Sequence, residues 1–216
     1  MTARKVTIAG VIILLSCMTV LGQSTSKFKL FVYSGVTFPS YPSNGFASFF
    51  RPTQNCGVGL NYRLSPKLSL TLDFSHYQFQ PKSKSGWDFN YNGHDIEFTK
   101  VPFPPSIIEV DYDRNDLLLK LKLKPFQMQK RLSPYIIAGG GMTYKRIEAY
   151  RDGLKSTSWY KSKSIDYLLT AGIGFDYRIE NKIDIFMEAC YNYSFFEHKE
   201  LTRGVIPLKL GIALGL

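Results

Sequence analysis

The residues best equipped for chemistry are three histidines, His76, His94 and His198, and the hydroxyls near two of them. Ser75-His76, and Ser194 with His198, each bring a nucleophile type close to a base type. A hydrolase needs its nucleophile in contact with the base and a carboxylate orienting that base. Proximity along the chain does not supply that contact, and both stretches read as ordinary solvated residues. His94-Asp95-Ile96-Glu97 offers one imidazole and two carboxylates to a metal, an unspecific set common in polar loops. Cys56 and Cys190 have no metal-ligand spacing and are too few for a disulfide framework. The expectation is therefore no catalytic residue, no metal and no cofactor. Lys145, Arg146, Arg151, Lys155, Lys161 and Lys163 form the densest basic cluster, a set of donors suited to phosphate oxygens.

The whole chain shares that basic character, with 27 Lys and Arg against 17 Asp and Glu in 216 residues, a net charge of +10. Alone, this balance invites a nucleic-acid or anionic-surface partner. A hydrophobic content of 44% with 20% charged residues excludes a disordered chain, and a mean hydropathy of −0.11 argues against a helical membrane bundle. Aromatics at 15%, with 14 Tyr and 17 Gly, fit a β-rich chain with many turns.

Arg4 and Lys5 precede an apolar run from Val6 to Leu21, and Val20-Leu21-Gly22 before Gln23 suits a peptidase site. Residues 1–22 thus read as a secretory signal peptide, leaving 23–216 as one domain. The run is short for a signal anchor. Leu14-Leu15-Ser16-Cys17 resembles a lipoprotein box, but the chain stays apolar beyond the cysteine. Removing the signal takes two positive charges from +10 and leaves +8. Export makes a nucleic-acid partner an unsuitable reading.

Beyond the signal, period-two alternation replaces any helical periodicity. Eight runs carry it. Leu68, Leu70, Leu72 and Phe74 oppose Ser69, Thr71, Asp73 and Ser75; Leu117, Leu119, Leu121 and Leu123 oppose Leu118, Lys120, Lys122 and Lys124. Tyr167 to Arg178, Ile183 to Phe195 and Ile206 to Leu216 alternate in the same manner, as do runs beginning at Phe28 and Cys56. Tyr135 to Lys145 alternates more weakly around Gly139-Gly140-Gly141. The connections alternate too. Pro39 to Thr53, Gln80 to about Arg114, Glu148 to Lys163 and Glu197 to Gly204 are long, whereas Ser65-Pro66-Lys67, Pro125 to Arg131 and Glu180-Asn181-Lys182 are short. In an up-and-down barrel this places all tight turns at one end and all large loops at the other. The predicted fold is all-β, an eight-stranded antiparallel up-and-down transmembrane barrel.

Three features direct the apolar face toward lipid instead of toward a carried ligand. It runs continuously over several positions per strand, long enough to cross a bilayer. Aromatics gather near strand ends, among them Phe38, Tyr62, Phe74, Tyr144, Tyr167, Tyr177, Tyr193 and Phe195, as interfacial girdles require. The opposite face carries Arg63, Lys120, Lys122, Lys124, Arg178 and Lys209 with Asp73, Asp176, Asp184 and Glu188, a poor lining for an apolar ligand. Depth along the strands predicts pairs between Asp73 and Lys120 or Lys122, and between Glu188 and Lys209. Eight strands leave room for side chains only, so a wide pore is not expected.

Ser133-Pro134-Tyr135-Ile136-Ile137-Ala138-Gly139-Gly140-Gly141, Leu169 to Tyr177 and Glu188 to Phe195 resemble the strands of the small outer-membrane β-barrel family that contains the outer-membrane protein A barrel. The resemblance covers nearly all of the chain after the signal, without the peptidoglycan-binding domain of larger members. It implies the outer membrane of a Gram-negative-type bacterium and handling by the barrel assembly machinery, although the last strand finishes in Leu216 where members commonly carry an aromatic. It implies a porin-like cell-envelope protein of structural or surface-binding type. Its partners would be lipid, lipopolysaccharide at the basic cluster and an unidentified surface partner at the loops, with Trp87, Tyr91 and Phe98 as an exposed aromatic set. The alternatives are a lipid-A-modifying outer-membrane enzyme using a rim His and Ser, and a soluble lipocalin-like carrier.

Overall fold

A computed structural model describes residues 27–41, 46–81, 87–91, 96–100, 108–125, 131–151, 158–180, 182–195 and 203–216. The expected signal peptide, residues 1–22, lies outside them. Alternating residues pair into long antiparallel strands, β1 (Phe28–Tyr41), β2 (Thr53–Arg63) and β3 (Leu68–Phe79), followed by a short hairpin of β4 (Trp87–Tyr91) and β5 (Ile96–Lys100). Five more long strands complete the set: β6 (Ile108–Leu123), β7 (Leu132–Arg151), β8 (Ser158–Glu180), β9 (Ile183–Phe195) and β10 (Gly204–Gly215). The eight long strands close into one barrel in the order β1-β10-β9-β8-β7-β6-β3-β2. Closure leaves no unpaired edge, the condition for a sheet to sit in lipid.

Following paired residues round the wall fixes the stagger. Leu214 leads through Leu30, Leu60, Leu72, Leu119, Gly140, Leu169 and Tyr193 to Gly204, ten residues from its start on β10. Such a stagger tilts the strands steeply, within the roughly 35–45° usual for barrels.

Val32, Leu72, Leu119, Leu169, Ile173 and Leu210 expose about half or more of their surface on the outer wall, while Asp73 and Arg114 expose 0% inside. An apolar exterior over a charged interior inverts the soluble pattern and overturns the lipocalin-like alternative, which needs the apolar face within. Phe28 and Tyr62 pack 4.7 Å apart between ring centroids at the turn end, while Tyr144, Tyr167 and Phe195 stand exposed toward the loop end.

Two long connections contain more structure than their sequence announces. β7 and β8 pair as far as Tyr150 and Ser158, so most of the expected Glu148 to Lys163 loop is strand. Past the lipid boundary the outward positions become Arg146, Lys161 and Lys163, so the polar-apolar contrast that marks a strand disappears although its hydrogen bonds continue. The connection from Gln80 contains the separate β4–β5 hairpin, in which Phe89 pairs with Phe98. The side-chain placements of Trp87, Tyr91 and Phe98, the expected aromatic set, lie outside what is described. A single helical turn, α1 (Phe46–Phe49), precedes β2.

Candidate functional site: the barrel lumen and its outer rim

Inward positions recur at every second residue, so β3 delivers Ser69, Thr71, Asp73 and Ser75 to the lumen and β6 delivers Arg114, Asp116, Leu118, Lys120 and Lys122. In the middle layer Lys120 donates to Asp73 Oδ2 at 2.7 Å and to Glu188 Oε2 at 3.0 Å. Lys209 donates to the same Asp73 oxygen at 2.7 Å, and the Tyr33 hydroxyl donates to Asp73 Oδ1 at 2.7 Å. Tyr135 donates to Glu188 at 3.1 Å. Lys122 reaches Asp176 at 3.0 Å and holds its ammonium 3.6 Å from the Tyr135 ring centroid.

The structure thus gathers Asp73, Lys120, Lys122, Glu188 and Lys209 into one network. Lys209 departs from the expected partner. It lies opposite Glu188 in the β9–β10 register, yet its ammonium bonds Asp73, Tyr33 and Ser75. Its side chain extends into the lumen toward β3, where it is the second cation, after Lys120, on the aspartate.

A second layer lies nearer the loops. Arg114 donates twice to Asp116 at 2.8 and 3.1 Å, Asn192 also donates to Asp116, and Thr170 donates to Asn192. Beyond it Tyr77, Phe79, Tyr112 and Phe50 stack into a plug, with Phe79 and Tyr112 centroids 5.2 Å apart. At the turn end Phe31, Tyr33 and Phe186 form an aromatic cluster beside the Lys29–Asp184 pair. A recess of about 130 Å³ opens there, lined by Lys29, Lys122, Asp176, Asp184 and Phe186 among others.

The aromatic layers are not among the inward residues that charge alone marks in the sequence. Their signal was phase: Tyr77 and Phe79 continue the inward series of Asp73 and Ser75. Inward glycines complete the fit. A Cβ on Gly211 would lie 2.6 Å from the Phe186 ring, and one on Gly59 would collide with Phe31.

The basic cluster divides in two. Lys145 points inward, buried, 2.6 Å from Asp166 and 2.8 Å from Ser194 Oγ. Its grouping with rim cations is therefore corrected, since one residue along a strand reverses the face. Arg146, Lys161 and Lys163 face outward, with Arg146 opposite Lys163 and Glu148 opposite Lys161 in register. Glu148 accepts from Arg146 at 3.0 Å, Lys161 at 2.7 Å and Tyr150 at 2.6 Å. These hydrogen bonds, Arg146 first, hold its carboxyl down at about 2, well below the usual carboxylate range. The side chain of Arg151, and Lys155 altogether, lie outside the described residues.

Of the histidines, His94 and His198 are outside the described residues. His76 is on the outer wall, whereas Ser75 is buried in the lumen, so this neighbouring pair cannot act together. Ser194 is likewise inside, bonded by Lys145. Among the described residues no group of three or more His, Cys, Asp and Glu could hold a metal.

No protein-family model matches the chain, and no curated protein is significantly similar in sequence. Solved structures are similar in backbone. Neisserial surface protein A aligns with a TM-score of 0.60 at 14% identity, over 91% of this chain and 100% of that one. A major outer membrane protein from Thermus thermophilus aligns with a TM-score of 0.56 at 12% identity, over 87% and 98%. Closed lumen, apolar belt and these two alignments agree: the chain has the fold of the small eight-stranded outer-membrane β-barrels.

Proposed function

We propose that the protein is an integral outer-membrane barrel of a Gram-negative-type envelope, exported by residues 1–22, with a structural or surface-binding role. The observation that carries this reading is the blocked lumen. Asp73 and Arg114 are sealed from water between two aromatic layers, so the interior serves to hold the wall together and the outward ends remain for interaction. Lipid contacts the apolar belt, and β10, with Ile206, Leu208, Leu210 and Ile212 outward, offers the alternation that barrel assembly machinery requires. Membrane fractionation, heat-modifiable gel migration and planar-bilayer recording test the reading. It expects outer-membrane recovery, a folded form that migrates faster than the boiled one, and no stepwise conductance; steady open-channel steps would overturn it.

Arg146, Lys161 and Lys163 supply the rim's phosphate donors, just above Tyr144, Ile165 and Tyr167, where lipopolysaccharide head groups would lie. Replacing all three with Gln should weaken lipopolysaccharide binding by about tenfold or more, since each cation near an anionic surface adds its own attraction. Unchanged binding would remove this partner.

A further inference from the structure

The apolar belt is interrupted on one side of the wall. Ser34, Cys56, His76 and Asn115 occupy one outward row across β1, β2, β3 and β6, each directly opposite the next in register. The adjacent row toward the turns is wholly apolar: Val32, Val58, Phe74 and Leu117. Toward the loops, Gln54 and Gln78 follow on the same strands. Lipid-facing positions seldom carry polar side chains without a use, because lipid provides no hydrogen-bond partners.

Their types and order are specific. Opposed residues in an antiparallel pair bring their Cβ atoms within about 4.5–5.5 Å, which puts the exposed Cys56 thiol within side-chain reach of the His76 ring. On the other side of the ring, His76 Nδ1 lies 2.9 Å from Asn115 Oδ1. An amide oxygen accepts only, so this contact fixes the proton on Nδ1 and leaves the Nε2 lone pair free as a base. Nucleophile, base and orienting group thus stand in sequence along one row, and rotation of the Cys56 side chain toward the ring it faces would make the nucleophile–base contact that acyl transfer requires. The row borders a recess of about 450 Å³ lined by Ser34, Gln54, Cys56, His76 and Gln78 among others.

We infer that Cys56, His76 and Asn115 form an acyl-transfer site on the outer wall that acts on the ester groups of membrane lipids. Its position fits that substrate: acyl chains would lie along Val58, Phe74 and Leu117, and the ester carbonyl would reach the polar row above them. Cys56 Sγ attacks the carbonyl carbon while His76 Nε2 takes the thiol proton. The ester C–O bond breaks, the leaving alkoxide receives that proton, and the acyl group remains on Cys56 as a thioester. Water from the loop side then attacks the thioester through the same base, releasing a fatty acid and restoring the thiol. Gln54 and Gln78, which line the same recess, would donate their side-chain amides to the carbonyl oxygen. Asn115 is a positioning residue acting through His76. The site is independent of the lumen and of the proposed envelope role.

The test uses full-length protein folded into phosphatidylethanolamine–phosphatidylglycerol vesicles with isotope-labelled acyl chains, and the same vesicles containing lipopolysaccharide. Labelled fatty acid and a hydroxylamine-labile acyl adduct on Cys56 are followed by mass spectrometry, and the arm that supplies them identifies the lipid. Release should fall to background in Cys56→Ala and about 100-fold in His76→Gln, the scale of a lost general base, and stay unchanged in Cys190→Ala. Asn115→Ala should lose release and Asn115→Asp, which keeps an oxygen against Nδ1, should retain it. Heat-modifiable migration verifies folding of each variant, and Cys56→Val, which also lacks a nucleophile, replaces Cys56→Ala if the latter does not fold. Absence of adduct and release in both arms, or release unaffected by Cys56 or His76 replacement, overturns the inference.

Discussion

Lys209 of β10 and Asp73 of β3 meet at 2.7 Å inside the barrel although β1 and β2 separate their strands in the wall. Their contact ties together parts of the chain 136 residues apart, and Lys120 meets the same carboxylate oxygen from β6. One buried anion therefore organises cations from two sides of the lumen. Buried charges of this kind hold only when paired and hydrogen-bonded.

Removing the anion should be costly. Asp73→Asn leaves the Lys209 ammonium without a paired carboxylate and Lys120 with Glu188 alone, and the expected loss is about 3–5 kcal/mol. Adding Lys209→Met should recover part of that loss, because it removes one uncompensated charge. Urea unfolding in detergent micelles, followed by tryptophan fluorescence, gives both values. Strict additivity of the two substitutions would show that the pair is not coupled.

Glycine and aromatic positions should also be coupled. Phe186→Ala alone is expected to cost about 3–5 kcal/mol through the cavity it leaves. Gly211→Ala on the wild-type background forces its methyl toward the Phe186 ring, whose Cε1 would be 2.6 Å away. The cost is about 1–3 kcal/mol. Combined with Phe186→Ala, the Gly211→Ala penalty should shrink, since the ring has gone; the Val32 carbonyl nearby keeps it above zero.

The rim clasp has its own pH signature. Glu148 is covered by Arg146, Lys161 and Tyr150, yet stands at the water-facing end of β7. Because its folded value is depressed to about 2, the clasp contributes fully above the ordinary glutamate value near 4.5. That contribution is lost as pH falls from there through about 2. An NMR titration of the Glu148 carboxyl in micelles should find a midpoint well below the ordinary value, and Arg146→Gln together with Lys161→Gln should move it back toward 4.5.

Lys145 and its neighbour should behave oppositely. Lys145→Gln is expected to leave lipopolysaccharide binding unchanged while destabilising the barrel by about 3 kcal/mol, because Asp166 is left buried beside no cation at that position. Arg146→Gln should weaken binding with little effect on unfolding. Parallel binding and urea titrations of the two variants separate the roles.

The sequence alone determined the local pattern. Period-two alternation decides which residues face lipid and which face inward, since successive side chains on a strand point to opposite sides whatever lies next to it. Long and short connections then decided the strand number and the two ends. Leu117 to Lys122 could be assigned residue by residue in this manner, whereas Arg146 and Lys161 could not, because strands outside lipid lose the apolar contrast.

Tertiary structure decided everything that depends on closure. The stagger of ten residues sets which inward residues share a layer, and so gave Lys209 to Asp73 while Glu188 went to Lys120 and Tyr135. It also brought Cys56, His76 and Asn115 into one outward row from three strands. Cross-strand register is a long-range property, fixed when the last strand pairs with the first, and no period within a single strand encodes it.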